Sequence, residues 1–189
     1  MAKITLNTAA AGRVVTPSEL RLHSRIDSNE EDSLLDDLIV AATEEAEEYT
    51  WRKFLSQTWI QYFDSFADPM VLYFSPVSSI TSVGYTDSNG DTQTLGVTIY
   101  ELGIVNGVSV VRRKYNQDWP TTRSHEDVVA VTFVVGYGAA SAVPQRIKQA
   151  IKFHAGFRHE NREIESVPRA FYDLLYPFRL AHPQAIGTK

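Results

Sequence analysis

The chain has 189 residues, of which 43% are hydrophobic and 22% charged, and a formal net charge of −5. That length suits one domain, or one domain with an inserted subdomain, and is enough to bury a sizeable core. No apolar run approaches the roughly 20 residues that cross a bilayer, no secretory core stands in residues 1–12, and the absence of cysteine excludes disulfides and thiolate metal sites.

Residues 1–15 are small and polar, which suits a mobile N-terminal segment or an edge. Thr16, Pro17, Ser18 and Glu19 then satisfy two helix-start rules together, a hydroxyl cap answered by Glu three residues on and proline in the first turn. They predict a helix from Pro17 to Ser24. A second start is expected at Ser28 or Asn29, with Glu30, Glu31 and Asp32 at the positive end of the dipole. From there Leu34, Leu35, Leu38, Ile39, Ala42, Ala46 and Tyr49 recur at three- and four-residue spacing, which predicts one buried face.

The rest of that helix is acidic. Glu30, Glu31, Asp32, Asp36, Asp37, Glu44, Glu45, Glu47 and Glu48 fall between positions 30 and 48 with no Lys or Arg among them, so the usual i,i+4 pairs are missing. Such a face is either solvated for solubility, or it meets a basic surface of another subunit, or it lines a conduit for a polyanion. The charge layout keeps the last two readings open. Residues 1–50 carry 4 bases against 11 acids, and residues 144–189 carry 8 bases against 4 acids. These opposite ends pair either within one molecule or head-to-tail between subunits of a ring.

Beyond Arg52 and Lys53 the period changes to that of strands. Gln57 to Phe63, Met70 to Phe74, Ile80 to Thr86, Thr92 to Tyr100, Tyr100 to Val105, Val108 to Arg113 and Val128 to Val135 are the predicted strands. The Asn89-Gly90 and Asn106-Gly107 turns predict hairpins, and the short connections predict an antiparallel sheet. Gly136 to Gly138 end the last strand. Pro144 opens a helix whose Ile147, Ala150, Ile151, His154 and Phe157 share a face, with Arg146, Lys148, Lys152, Arg158 and Arg162 around it. Ser166 to Pro168 begin a last helix in which Phe171, Leu174 and Leu175 line one side before Pro177 stops it. The expected organisation is α+β: a helical core from 16–56 plus 144–180, an antiparallel β subdomain from 57–138, and a tail from 181–189.

Little in this pattern is catalytic. His159, Glu160 and Glu163 approach the zinc-helix spacing, but Glu163 stands where the second His belongs, so a metal-dependent hydrolase is only a remote alternative. No cofactor and no metal are expected. The short helix, turn and longer helix are similar in outline to helix-turn-helix, yet the second helix carries carboxylates where phosphate neutralisation needs Lys and Arg. Arg112, Arg113 and Lys114 beside Tyr115 read as a protected strand edge.

Several stretches in order, Thr16 to Asp27, Glu30 to Thr50, Gln57 to Tyr62, Val77 to Tyr85 with Asn89-Gly90, Trp119 to Arg123, Val131 to Gly138, Val143 to Ile151 and Glu160 to Glu163, resemble a known family. The chain resembles the phage head-tail connector (adaptor) proteins, the longer subgroup with a β-rich insertion, over about Thr16 to Arg179. Residues 1–15 have no counterpart there, and the last helix is too variable in the family to transfer contacts. The resemblance implies a structural virion protein with no catalytic residues. It implies a ring, twelvefold in the virion, that docks under the portal after DNA packaging, carries the stopper or tail, and lets DNA pass without sequence-specific binding. A stopper or tail-completion protein is the alternative. The resemblance also implies assembly in the bacterial host cytoplasm, with no membrane partner. On this reading Asp36, Asp37, Glu44, Glu45, Glu47 and Glu48 face a subunit or the channel, Arg146, Lys148, Lys152, Arg158 and Arg162 face a neighbouring subunit, and the tail after Pro177 reaches the portal.

Overall fold

The computed structural model describes residues 3–161 and 166–180, which form two compact units. A helical unit comprises residues 11–55 and 137–179, and a β unit comprises residues 3–10, 56–136 and 180.

The helical unit begins at Thr16, whose hydroxyl accepts from the Glu19 amide while the Glu19 carboxylate accepts from the Thr16 amide, closing the capping box. Val15 and Leu20, at the positions of a hydrophobic staple, are both fully buried. Helix α1 (Pro17–Ser24) ends with Arg25 in the left-handed region at φ 56°. The next helix starts later than the sequence suggested. Ser28 accepts from the Glu30 amide, but it closes a turn; α2 (Asp32–Thr50) has Glu31 at its cap with no side-chain bond, and its first turn is carried by acids against the dipole alone.

Its buried face is Leu35, Ile39, Ala42, Ala46 and Thr50, narrower than the predicted stripe, since Leu34 is exposed and Tyr49 only half-buried. Thr50 hides its hydroxyl by donating to the Ala46 carbonyl at 2.7 Å. Helix α3 (Gln145–Glu160) follows Pro144 as expected and buries Ile147, Ala150, Ile151 and His154; it also buries Ala155 and Gly156, while Phe157 stays half-buried. A Cβ on Gly156 would lie 2.6 Å from the Ser24 hydroxyl, so glycine is what lets α1 approach α3 this closely. Helix α4 (Arg169–Leu175) buries Phe171 and Leu175, and a 3-10 turn, Tyr176–Phe178, accommodates Pro177 before the chain turns away.

The β unit holds two antiparallel sheets, where one was expected. The strands in chain order are β1 (Ile4–Thr8), β2 (Gln57–Phe63), β3 (Met70–Val71), β4 (Val77–Thr86), β5 (Thr92–Thr94), β6 (Tyr100–Val105), β7 (Val108–Arg113) and β8 (Val129–Val135). Five of them run in the order β1-β2-β8-β4-β5, and three in the order β3-β7-β6. Strand β8 is the centre of the larger sheet: Val129, Val131, Phe133 and Val135 alternate inward, into a core shared with Met70, Leu72, Tyr100 and Val111.

Residues 4–8 take the edge reading of the N-terminal segment: they pair with β2, and Ile4 packs on the core. Two strand expectations need correction. The predicted Thr92 to Tyr100 strand is broken, because the chain leaves the larger sheet at buried Leu95 and turns through Gly96 to Ile99 into the smaller one. The predicted Met70 to Phe74 strand is two residues long. Buried polar groups join the layers. Gln61 donates to the Val71 carbonyl and accepts from the Tyr73 amide, and Ser75 exchanges bonds with Ser109. Asn106 and Gly107 take positive φ in the tight hairpin, as predicted.

Candidate functional site: the acidic helix and its partners

The helical fold sorts the nine acids into two sets. Most are occupied inside the same unit. Asp36 takes a two-pronged bond from Arg13 at 2.9 and 2.8 Å, which holds the Asp36 carboxyl below its usual range and the Arg13 guanidinium above its own. Asp32 lies 3.1 Å from Arg21, and Glu31 meets His159 at 2.8 Å. Glu47 accepts from the Phe54 amide at 2.8 Å and from Lys53 at 2.7 Å, closing the turn after α2.

Glu45 is the centre of a network joining three helices. Its Oε1 accepts from the Tyr172 hydroxyl of α4 at 2.8 Å; its Oε2 lies 3.5 Å from His154 Nε2 and 3.9 Å from Arg158, both on α3. Burial first, and donation to Glu45 second, push the Tyr172 phenol up to about 12. The Tyr172 ring packs 4.9 Å from Tyr49, and the Arg179 guanidinium lies 5.2 Å over the other tyrosine.

Glu30 lies exposed ahead of α2, and on the helix itself Asp37, Glu44 and Glu48 remain. They are exposed, and among the described residues none makes an ion pair with them. At a period of 3.6 residues these positions, with exposed Ala41, fall on one stripe of α2. Glu44 and Glu48 also border a shallow open groove of ≈ 590 Å³ lined by Ala41, Glu45, Tyr49 and Tyr172.

The predicted basic face of α3 is less exposed than its sequence suggested. Arg146 is exposed and donates to the Asp173 carbonyl at 3.3 Å. Lys148 is only 7% exposed and Lys152 half-buried, both close enough to Glu19 to help hold its carboxyl low after the dominant bond from the Thr16 amide. Arg158 donates to His154. Arg162 and Glu163 lie outside the described residues, as does the tail from 181. Part of the opposite-charge pairing expected between the chain's ends is therefore made within one molecule, through Glu31 with His159 and Glu45 with Arg158.

His159 is thus committed to Glu31, and among the described residues no group of three or more His, Asp or Glu is arranged to hold a metal. Arg112 pairs with Glu101 and Arg113 with Asp68 and Asp118, but β7, which carries both, is the middle strand of the smaller sheet and not the edge that was expected. Sequence reasoning missed Arg13, Lys53 and Tyr172 as the partners of the acids. Arg13 and Tyr172 are far from α2 in the chain; only the polar tip of Tyr172 beside buried Phe171 hinted that it would reach for an acceptor.

Comparison with known proteins bears on what such a chain is. Residues 16–83 match the family described as phage gp6-like head-tail connector protein. No curated protein matches the chain. Among solved structures, a chain in the neck of an empty gene-transfer-agent (GTA) particle, computed with C6 symmetry, is 20% identical with a TM-score of 0.78, covering 95% of this chain and 96% of that one. A chain in the virion of a native GTA particle is 21% identical with a TM-score of 0.77, covering 94% and 95%. A third, in the neck of a native GTA particle computed with C12 symmetry, is 20% identical with a TM-score of 0.70, covering 94% and 96%. The connector resemblance and the α+β fold read from the sequence are both borne out: residues 16–83, which run from α1 into β4, match the gp6-like head-tail connector family, and the fold is shared nearly end to end with GTA particle chains.

Proposed function

We propose that the chain is a structural virion protein, a head-tail connector that forms a ring under the portal after DNA packaging and gives the stopper or tail its platform. The observation that carries this reading is the connector match at residues 16–83 within a fold that covers 95% of a neck chain. Its role is mechanical, not enzymatic. The reconstructions of similar chains with C6 and C12 symmetry support a ring, twelvefold in the virion, at the head-tail interface.

Within that ring the helical unit supplies the subunit and channel surfaces. The stripe of Asp37, Glu44 and Glu48 either meets a neighbour's cations or lines the bore. A bore of unpaired carboxylates repels the DNA phosphates, so the duplex passes without being held. Among the described residues Arg146 is the most exposed of the basic contacts proposed toward the neighbouring subunit.

The test is charge reversal restricted to the free stripe. Asp37→Lys, Glu44→Lys and Glu48→Lys together break no described bond and relieve like-charge crowding on α2, so the variant should fold with its thermal midpoint unchanged or raised. Particles assembled with it should release packaged DNA or lack tails, with the yield of tailed particles falling at least tenfold. Wild-type yield from a folded triple variant would remove the stripe from assembly and from DNA passage. Including Glu45 or Glu47 would confuse the result, because each holds the fold itself.

A further inference from the structure

The network at Glu45 holds two basic side chains and has geometry for only one of them as its cation at a time. His154 is fully buried, and its Nε2 accepts from the Arg158 Nε–H at 2.9 Å. A ring nitrogen that accepts carries no proton, so the proton of the neutral ring sits on Nδ1, which is buried with no partner among the described residues. Glu45 Oε2 stands 3.5 Å from the same Nε2, just beyond bonding range, while Oε1 is kept in place by Tyr172. The Arg158 side chain is 40% exposed and can leave for water; the His154 ring cannot.

We propose that Glu45, His154 and Arg158 form a proton-driven exchange, in which a proton taken up on His154 Nε2 expels the Arg158 guanidinium and makes the histidine the cation paired with Glu45. The proton comes from water, no other bond changes order, and the net charge of the cluster rises by one. A protonated Nε2 and the Arg158 Nε–H would point at each other, so the two arrangements exclude one another. The charged groups that act on the ring are Glu45 from α2 and Arg158 from α3; Tyr172 from α4 holds Glu45 and packs on Tyr49 of α2, and Phe171 closes the apolar side of the ring at 4.7 Å. Glu45 and Tyr172 stay bonded in both arrangements. What changes is Arg158, which becomes a free guanidinium at the surface of the helical unit in mild acid and is withdrawn at neutral pH.

The direction of the pH dependence follows from the surroundings. Burial, the largest cause, holds His154 below the ordinary histidine range; Glu45 opposes it and Arg158 adds to the lowering. A depressed folded value means that the stability tied to neutral His154 is complete above the ordinary value of about 6.5 and is lost as pH falls through the folded one.

Nuclear magnetic resonance of the full chain between pH 8 and pH 5 reads both partners at once. His154 should carry its proton on Nδ1 at pH 8, titrate with a midpoint below about 6.5, and lose the Arg158 Nε–H signal with the same midpoint. In Arg158→Gln the His154 midpoint should rise, and in Glu45→Gln it should fall. His154→Gln, which keeps an acceptor and cannot titrate, should keep the Arg158 signal throughout. The exchange is overturned if Arg158 is unaffected while His154 titrates, if the midpoint does not move in Arg158→Gln, or if Nε2 is already protonated at pH 8. Loss of all dispersed signals above the His154 midpoint would overturn it as well, since the fold would then be failing before the exchange.

Discussion

Phe171→Ala is expected to destabilise the helical unit by about 3–5 kcal/mol, the range for emptying a fully buried aromatic site. The reason lies in how little else holds α4. Seven residues are too few for a stable helix on their own propensity, so α4 exists because Phe171 and Leu175 are buried. The Phe171 ring packs 4.7 Å from His154 and 5.1 Å from Tyr172, so its loss also loosens the residue that anchors Glu45. Denaturant unfolding followed by helical circular dichroism measures the cost. Tyr176→Ala, four residues beyond Tyr172 and exposed, is the control and should stay within about 0.5 kcal/mol. A loss below about 1 kcal/mol for Phe171→Ala would mean that α4 is not packed as described.

Glu47→Ala should cost about 1.5–3 kcal/mol, and this is set by the amide it leaves behind. Removing the carboxylate strips the Phe54 N–H of its acceptor beside a fully buried ring, an orphaned donor worth about 1–3 kcal/mol, and breaks the partly buried pair with Lys53. An acid in the last turn of a helix opposes the dipole, so its removal returns about 0.3–1 kcal/mol. The unpaired amide wins. Glu48→Ala, one residue on and exposed, removes the same unfavourable charge and no described bond, so it should be neutral or slightly stabilising. The same unfolding measurement on the two variants separates them; equal effects would deny Glu47 its place in the turn.

These two acids also show where sequence reading stops. Adjacent in the chain and identical in type, Glu47 and Glu48 differ only in what the fold brings to them. The partners of Asp36 and Glu45 come from residues 23 and 127 positions away, and no local pattern carries such distances. What was legible was local. Thr16, Pro17 and Glu19 start α1 through bonds spanning three residues, Asn106-Gly107 closes its hairpin by backbone permission alone, and β8 alternates because one face is wholly buried.

The strand errors have the same origin. Thr92 to Tyr100 has β character on both sides of Gly96, and that glycine, next to Leu95, is the one local mark that the chain changes sheets there. Ser28 has a capping side chain, but the turn after it uses that side chain and leaves α2 to begin at Asp32. In β4 the alternation slips at an irregularity between Ile80 and Ser82, which lets Ile80 and Val83, three apart, both reach the core. The acidic run was visible as a whole. Its division into structural carboxylates and a free stripe needed Arg13, Lys53, His154 and Tyr172 in place.

The connector reading is tested most directly by the mass of the purified chain in solution, measured by light scattering after size exclusion, alone and with the portal protein of the same particle. The account predicts either a ring-sized species or a monomer that the portal converts into a bound ring, twelve copies to each portal. A strict monomer that ignores the portal would contradict it.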